Sequence, residues 1–116
     1  MSLVSSHTLN GVDGTHAGHI PVRLIHVGSQ KVLFETQMDD GGRLSQYIDS
    51  SEINADGQYE LAFDTTAYWQ SRNLPRKRAQ IMDQIVIRFS MPDPEGQYHI
   101  PVILSPNSYS VWWSGE

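Results

Sequence analysis

The stretch Gln58-Tyr59-Glu60-Leu61-Ala62-Phe63-Asp64 decides the class of fold. Tyr59, Leu61 and Phe63 fall on one side of an extended chain; Gln58, Glu60, Ala62 and Asp64 fall on the other. That period of two belongs to a β-strand with one face on a core and one toward solvent. Just before it, Asn54-Ala55-Asp56-Gly57 reads as a turn, because Asn, Asp and Gly accept the left-handed backbone that tight turns need. Just after it, residues 64–72 form the one helix the sequence offers. Asp64, Thr65 or Thr66 can cap it, and Pro75 stops it.

The pattern repeats outward in both directions. In residues 19–27, Ile20, Val22 and Leu24 alternate with Pro21, Arg23 and Ile25, and Pro21 belongs at an edge or at the strand's start. Gly28-Ser29-Gln30 is a hairpin turn, and residues 31–38 return as the next strand. Asp39-Asp40-Gly41-Gly42 is a further turn, leading into a short strand at residues 43–48. Toward the C-terminus, residues 81–91 read as a long strand with Ile85, Ile87 and Phe89 on one face. A turn with Pro92 and Pro94 follows, then a strand at residues 99–104. Ser105-Pro106-Asn107-Ser108 turns the chain into a last strand at residues 109–113. A first strand at residues 3–9 precedes the turn-rich residues 10–15. About eight short strands and one short helix, with turn signals every 8–12 residues or so, predict an all-β antiparallel β-sandwich. Residues 1–116 are expected to form a single domain.

Composition narrows the function. The chain has 116 residues, no cysteine and a formal net charge of −5. Disulfide and thiolate chemistry are excluded, and nucleic acid and anionic membranes are poor partners. No apolar run is long enough for a membrane span. The N-terminus lacks a basic region followed by an apolar run, so no secretory signal is expected and the cytoplasm is.

Chemistry is expected from imidazoles. Of the five histidines, His16 and His19 sit beside glycines in a loop and His26 near a strand end; all three are read as structural. Two neighbouring histidines are too few for a structural zinc site, so no metal centre is expected. His7 and His99 differ, because each interrupts a strand of apolar and small residues, where an imidazole must find a partner or cost free energy. No short-range spacing links the two.

Several motifs bear on them together. Ser5-Ser6-His7-Thr8-Leu9-Asn10, Asp40-Gly41-Gly42-Arg43, the run from Tyr59 to Thr65 with Tyr68, and Tyr98-His99-Ile100-Pro101-Val102-Ile103-Leu104-Ser105-Pro106 occur in this order. In that order they resemble the 5-hydroxyisourate hydrolases, the transthyretin-related enzymes of purine breakdown. The resemblance runs over nearly the whole chain, and the His99 stretch is its most specific part. It implies a transthyretin-like sandwich, a homotetramer built as a dimer of dimers, and hydrolysis of a cyclic acyl–nitrogen bond in a small purine-derived substrate without a cofactor. His7, Arg43 and His99 are the catalytic residues it implies. Histidine suits water activation because its pKa lies near working pH. Arginine stays charged and can fork onto a planar, electron-rich ring.

One departure lies at the end. Where that family ends in Tyr-Arg-Gly-Ser, this chain reads Trp112-Trp113-Ser114-Gly115. In direct register Trp112 replaces the tyrosine, and a shift of one residue lets Ser114 supply the hydroxyl. Trp112 and Ser114 are therefore expected to contact substrate. The departure also keeps two other readings open: a transthyretin-like protein that binds a small ligand without catalysis, and a hydrolase of a related cyclic amide.

Overall fold

The structure, a computed structural model, describes residues 1–72 and 79–115. Its strands are β1 (Ser2–Asn10), β2 (Pro21–His26), β3 (Lys31–Gln37), β4 (Arg43–Ile48), β5 (Tyr59–Asp64), β6 (Gln84–Phe89), β7 (Gln97–His99), β8 (Val102–Ser105) and β9 (Ser108–Val111), with one helix, α1 (Thr66–Gln70). They form two sheets packed face to face. One runs β3-β2-β5-β6; the other runs β4-β1-β8-β9, with β7 also on β1. No helix among the described residues is long and apolar enough to cross a membrane.

The alternation seen in the sequence fills the space between the sheets. Val22 and Leu24 of β2, Tyr59, Leu61 and Phe63 of β5, and Ile85 of β6 are buried against Val4, Leu44, Ile48, Val102 and Leu104 of the opposite sheet. Trp69 of α1 closes the same cluster. Asp64 accepts from the Thr66 backbone N–H, while Thr65, at the N-cap, makes no side-chain cap bond. The helix is five residues long, shorter than the span from 64 to 72 that the sequence suggests.

Three strands differ from expectation for identifiable reasons. Residues 99–104 form two strands rather than one, because Pro101 has no N–H to give the ladder. The register nonetheless carries across the break: Ser5 pairs with His99 and Thr8 with Val102. Both pairings are parallel, so the sandwich is antiparallel except where β1 meets β7 and β8. At residues 81–91 only β6 is strand; Ile81 and Met82 instead donate their backbone N–H groups to the Asn107 side chain. The last strand stops at Val111, yet the chain stays alongside: Ser114 N–H donates to His99 C=O at 2.8 Å, and His99 N–H to Ser114 C=O at 3.0 Å. Arg72, Arg76, Lys77 and Arg78 form a basic run, expected from the sequence to be a solvated loop; the last three lie outside the described residues. Arg72, the first of that run, stacks over the Tyr68 ring at 4.5 Å.

β1 is unusual in what it buries. Its inward positions are Ser2, Val4, Ser6, Thr8 and Asn10. Each polar one is hydrogen-bonded: Ser2 to Pro94 C=O, Ser6 to Ile100 C=O, Thr8 to Ala17 C=O, and Asn10 to the Tyr68 hydroxyl. Burial without such partners would cost about 1–3 kcal/mol per group.

Truncating the centre of the core tests this packing. Phe63→Ala should lower unfolding free energy by about 3–5 kcal/mol at fixed protein concentration in chemical denaturation. A loss below about 1 kcal/mol would mean that Phe63 is not a core residue.

Candidate functional site

The polar inner face of β1 sends its odd positions, Leu3, Ser5, His7 and Leu9, to the outer face of the sheet. There His7 stands opposite Arg43 of β4, and Ser5 stands between Ser45 of β4 and His99 of β7. Ser114, bridging to His99, extends that row by one residue. The sheet thus unites His7, Arg43 and His99 from three distant parts of the chain, with Ser114 beside them.

Arg43 is presented by a tight turn. Asp39 Oδ1 accepts the backbone N–H groups of Gly41 and Arg43 at 2.9 and 2.8 Å. Gly42 sits at φ 73°, and a Cβ there would lie 2.5 Å from Thr8 C=O. Only glycine fits so close to β1 in that conformation, so the second glycine of Asp40-Gly41-Gly42-Arg43 seats the arginine against His7.

His99 is half-buried, and its Nδ1 shares a 2.8 Å hydrogen bond with Ser5 Oγ. That bond orients the ring and leaves Nε2 for other work. Ser5, Ser6, Asp39, Arg43, Leu44, Ser45 and His99 line a hollow of about 300 Å³. An imidazole and a guanidinium thus share the wall of one hollow.

His7 has a partner that sequence reasoning missed. Its Nε2 lies 2.8 Å from His16 Nδ1, with the ring centroids 4.9 Å apart and the ring planes 24° from parallel, so the two imidazoles meet edge to edge. Burial, then the Arg43 and His16 charges, hold the His7 imidazole below its ordinary pKa; the Gly41 backbone works against them, and His99 adds to the lowering. His7 is therefore neutral at neutral pH. The signal for His16 was the turn at residues 10–15, which folds the chain back so that residue 16 bridges to Leu9. No recognisable strand follows that turn, so nothing local pairs the two histidines. His26 is structural as expected, bonded to Ser29 and packed by Tyr59. His19 pairs with Asp40 at 2.6 Å.

Trp112 lies elsewhere. With Trp113 it borders an apolar hollow of about 430 Å³ whose other walls include Phe89, Tyr98, Ile100 and Val111. It does not line the Arg43–His99 hollow. Among the described residues no cluster of three or more His, Asp or Glu is placed to hold a metal ion.

The His7 environment predicts its titration. A base held below its ordinary pKa takes up its proton later in the folded than in the unfolded chain. His7 thus leaves stability unchanged above pH ~6.5 and destabilises the fold as pH falls below it. NMR titration should place His7 below ~6.5 and move it up in Arg43→Gln, which removes a facing cation. A midpoint at or above that value would contradict this environment.

Comparison with known proteins agrees with this site-bearing sandwich. The model of the HIUase/Transthyretin family matches residues 4–113. A protein of Pseudomonas aeruginosa named 5-hydroxyisourate hydrolase is 28% identical over 114 residues, covering 97% of this chain and 90% of its own length. Two others of that name, from Halalkalibacterium halodurans and Mus musculus, are each 26% identical and cover 94% and 96% of this chain. Among solved structures, (S)-allantoin synthase superposes with a TM-score of 0.83 at 25% identity, over 97% of this chain and 43% of that one. Transthyretin from Sparus aurata superposes at 0.80 and 23% identity over 97% of each chain, a likeness of fold. The chain belongs to the HIUase/Transthyretin family.

Proposed function

We propose that this protein hydrolyses 5-hydroxyisourate, opening its ring at a cyclic acyl–nitrogen bond. The observation that carries the reading is the convergence of His99 and Arg43 on one hollow of about 300 Å³, with His7 beside Arg43 on the same outer sheet face. It is supported by relatives named for that activity.

His99 is the base in this reading. Ser5 holds its Nδ1, so Nε2 takes a proton from water as the water oxygen bonds to the ring carbonyl carbon. The carbonyl oxygen becomes an oxyanion facing the Arg43 guanidinium. Collapse breaks the carbon–nitrogen bond, the departing nitrogen receives the proton from the His99 imidazolium, and a ureido acid is released. His7, with Nε2 engaged by His16, orients the ring rather than serving as base. Ser114, opposite His99, offers a hydroxyl to the substrate. No cofactor enters any step.

The active form proposed is a homotetramer, a dimer of dimers. Supporting it, Tyr47 on β4 is 69% exposed, and Val86, Trp112 and Trp113 are 43, 46 and 62% exposed, large apolar side chains that other subunits can cover. Sedimentation as a monomer at micromolar concentration would remove this part. The compartment proposed is the cytoplasm, which cell fractionation checks.

A second reading rests on the apolar hollow bordered by Trp112 and Trp113. There a small planar ligand can be bound without turnover, giving Trp112 its substrate-contacting role. Freshly generated 5-hydroxyisourate separates the two readings. Hydrolysis predicts accelerated loss of its absorbance, slowed about 10²–10³-fold in a folded Arg43→Ala variant. Quenching of tryptophan emission with no acceleration would put the binding protein first.

A further inference from the structure

We propose that His16 is a positioning residue for His7, fixing through its Nδ1 which ring nitrogen of His7 carries the proton, and hence which tautomer Arg43 and the substrate ring meet. The proposal deepens the hydrolase reading and rests on it for its kinetic part.

The geometry is built rather than incidental. Residues 10–15 turn the chain back, and residues 15–18 are then tied down from two sides. Asn10 N–H donates to Thr15 C=O, Ala17 N–H to Thr8 C=O, and Thr8 Oγ1 to Ala17 C=O, at 2.8, 2.9 and 2.6 Å. On the other side Gly18 packs so tightly on the Asp39–Asp40 backbone that a Cβ would lie 2.7 Å from Asp40 C=O. The fold therefore delivers the His16 ring to His7 through a fixed backbone, although the ring itself is exposed.

A hydrogen bond between two ring nitrogens needs one proton on the line between them. In the arrangement proposed, His16 donates from Nδ1 to the lone pair on His7 Nε2, and neutral His7 carries its proton on Nδ1. Breaking the bond lets both forms of His7 coexist. The groups facing the pair are Arg43 from β4, His99 from β7 and the Gly41 backbone on the His7 side. On the His16 side, His19, Asp40 and Arg72 share the hollow that His16 borders. Asp40 is paired with His19, and Arg72 lies 3.9 Å from Asp13.

The test uses the full chain with two substitutions. His16→Phe keeps an aromatic ring and removes the nitrogen; His16→Asn removes the ring and can place an amide N–H near the position of Nδ1. Nitrogen chemical shifts of His7 read the tautomer, and steady-state kinetics read the consequence. His16→Phe should convert a single His7 tautomer to a mixture and lower kcat about tenfold with KM nearly unchanged, the rate equivalent of one hydrogen bond. His16→Asn should restore the single tautomer and most of kcat. An unchanged His7 tautomer in His16→Phe, or identical behaviour of the two variants, would overturn the proposal. If wild-type protein shows no hydrolysis while the tautomer still shifts in His16→Phe, the hydrolase reading fails and the positioning stands.

Discussion

Everything at the site depends on the register of β1. Its inward side chains are mostly hydroxyls and an amide, each bonded to a neighbouring segment: Pro94, Ala17, Ile100 and Tyr68. Those bonds set the strand's parity, and parity sends Ser5 and His7 outward beside His99 and Arg43. A slip of one residue would bury the imidazole and expose the hydroxyls, leaving every one of these bonds unmade. The polar core of β1 is thus what places chemistry on the surface of an otherwise apolar sandwich.

Legibility in the sequence followed the same division. β5 could be read directly, since Tyr59, Leu61 and Phe63 are all buried and alternate with polar or small residues. β1 was legible as a strand but its facing was not, because its leucines point outward with His7 while only Val4 among its inward residues is apolar. Hydrophobic alternation there indicates the wrong face. The break at Pro101 follows from the missing N–H, but its location between two strands that share one register depends on pairing with β1. Long-range pairing leaves no local trace, so the union of His7, Arg43 and His99 rested on family resemblance until the sheet placed them together. His16 lay beyond both kinds of reading, because its partner is reached through a loop whose path is set by Gly18 and Gly42 packing on backbone.

The C-terminal tail joins two features of the structure. Ser114 reaches His99 because the chain after β9 continues beside β7 through a reciprocal pair of backbone hydrogen bonds. The two tryptophans before it border an apolar hollow at the other side of the sheet. The tail therefore links a polar row, Ser45–Ser5–His99–Ser114, with an apolar surface suited to a second subunit or a ligand. In the proposed reading, catalytic contact and association fall to neighbouring residues of this one segment.

The central claim is that His99 and Arg43 act on one substrate as a single unit. A double-mutant cycle on kcat/KM for 5-hydroxyisourate, using His99→Ala, Arg43→Ala and the combined variant, tests it most directly. Residues that act together are strongly non-additive. The account predicts that the combined variant is little worse than the poorer single one. Losses that multiply, or single variants that keep wild-type turnover, would contradict it.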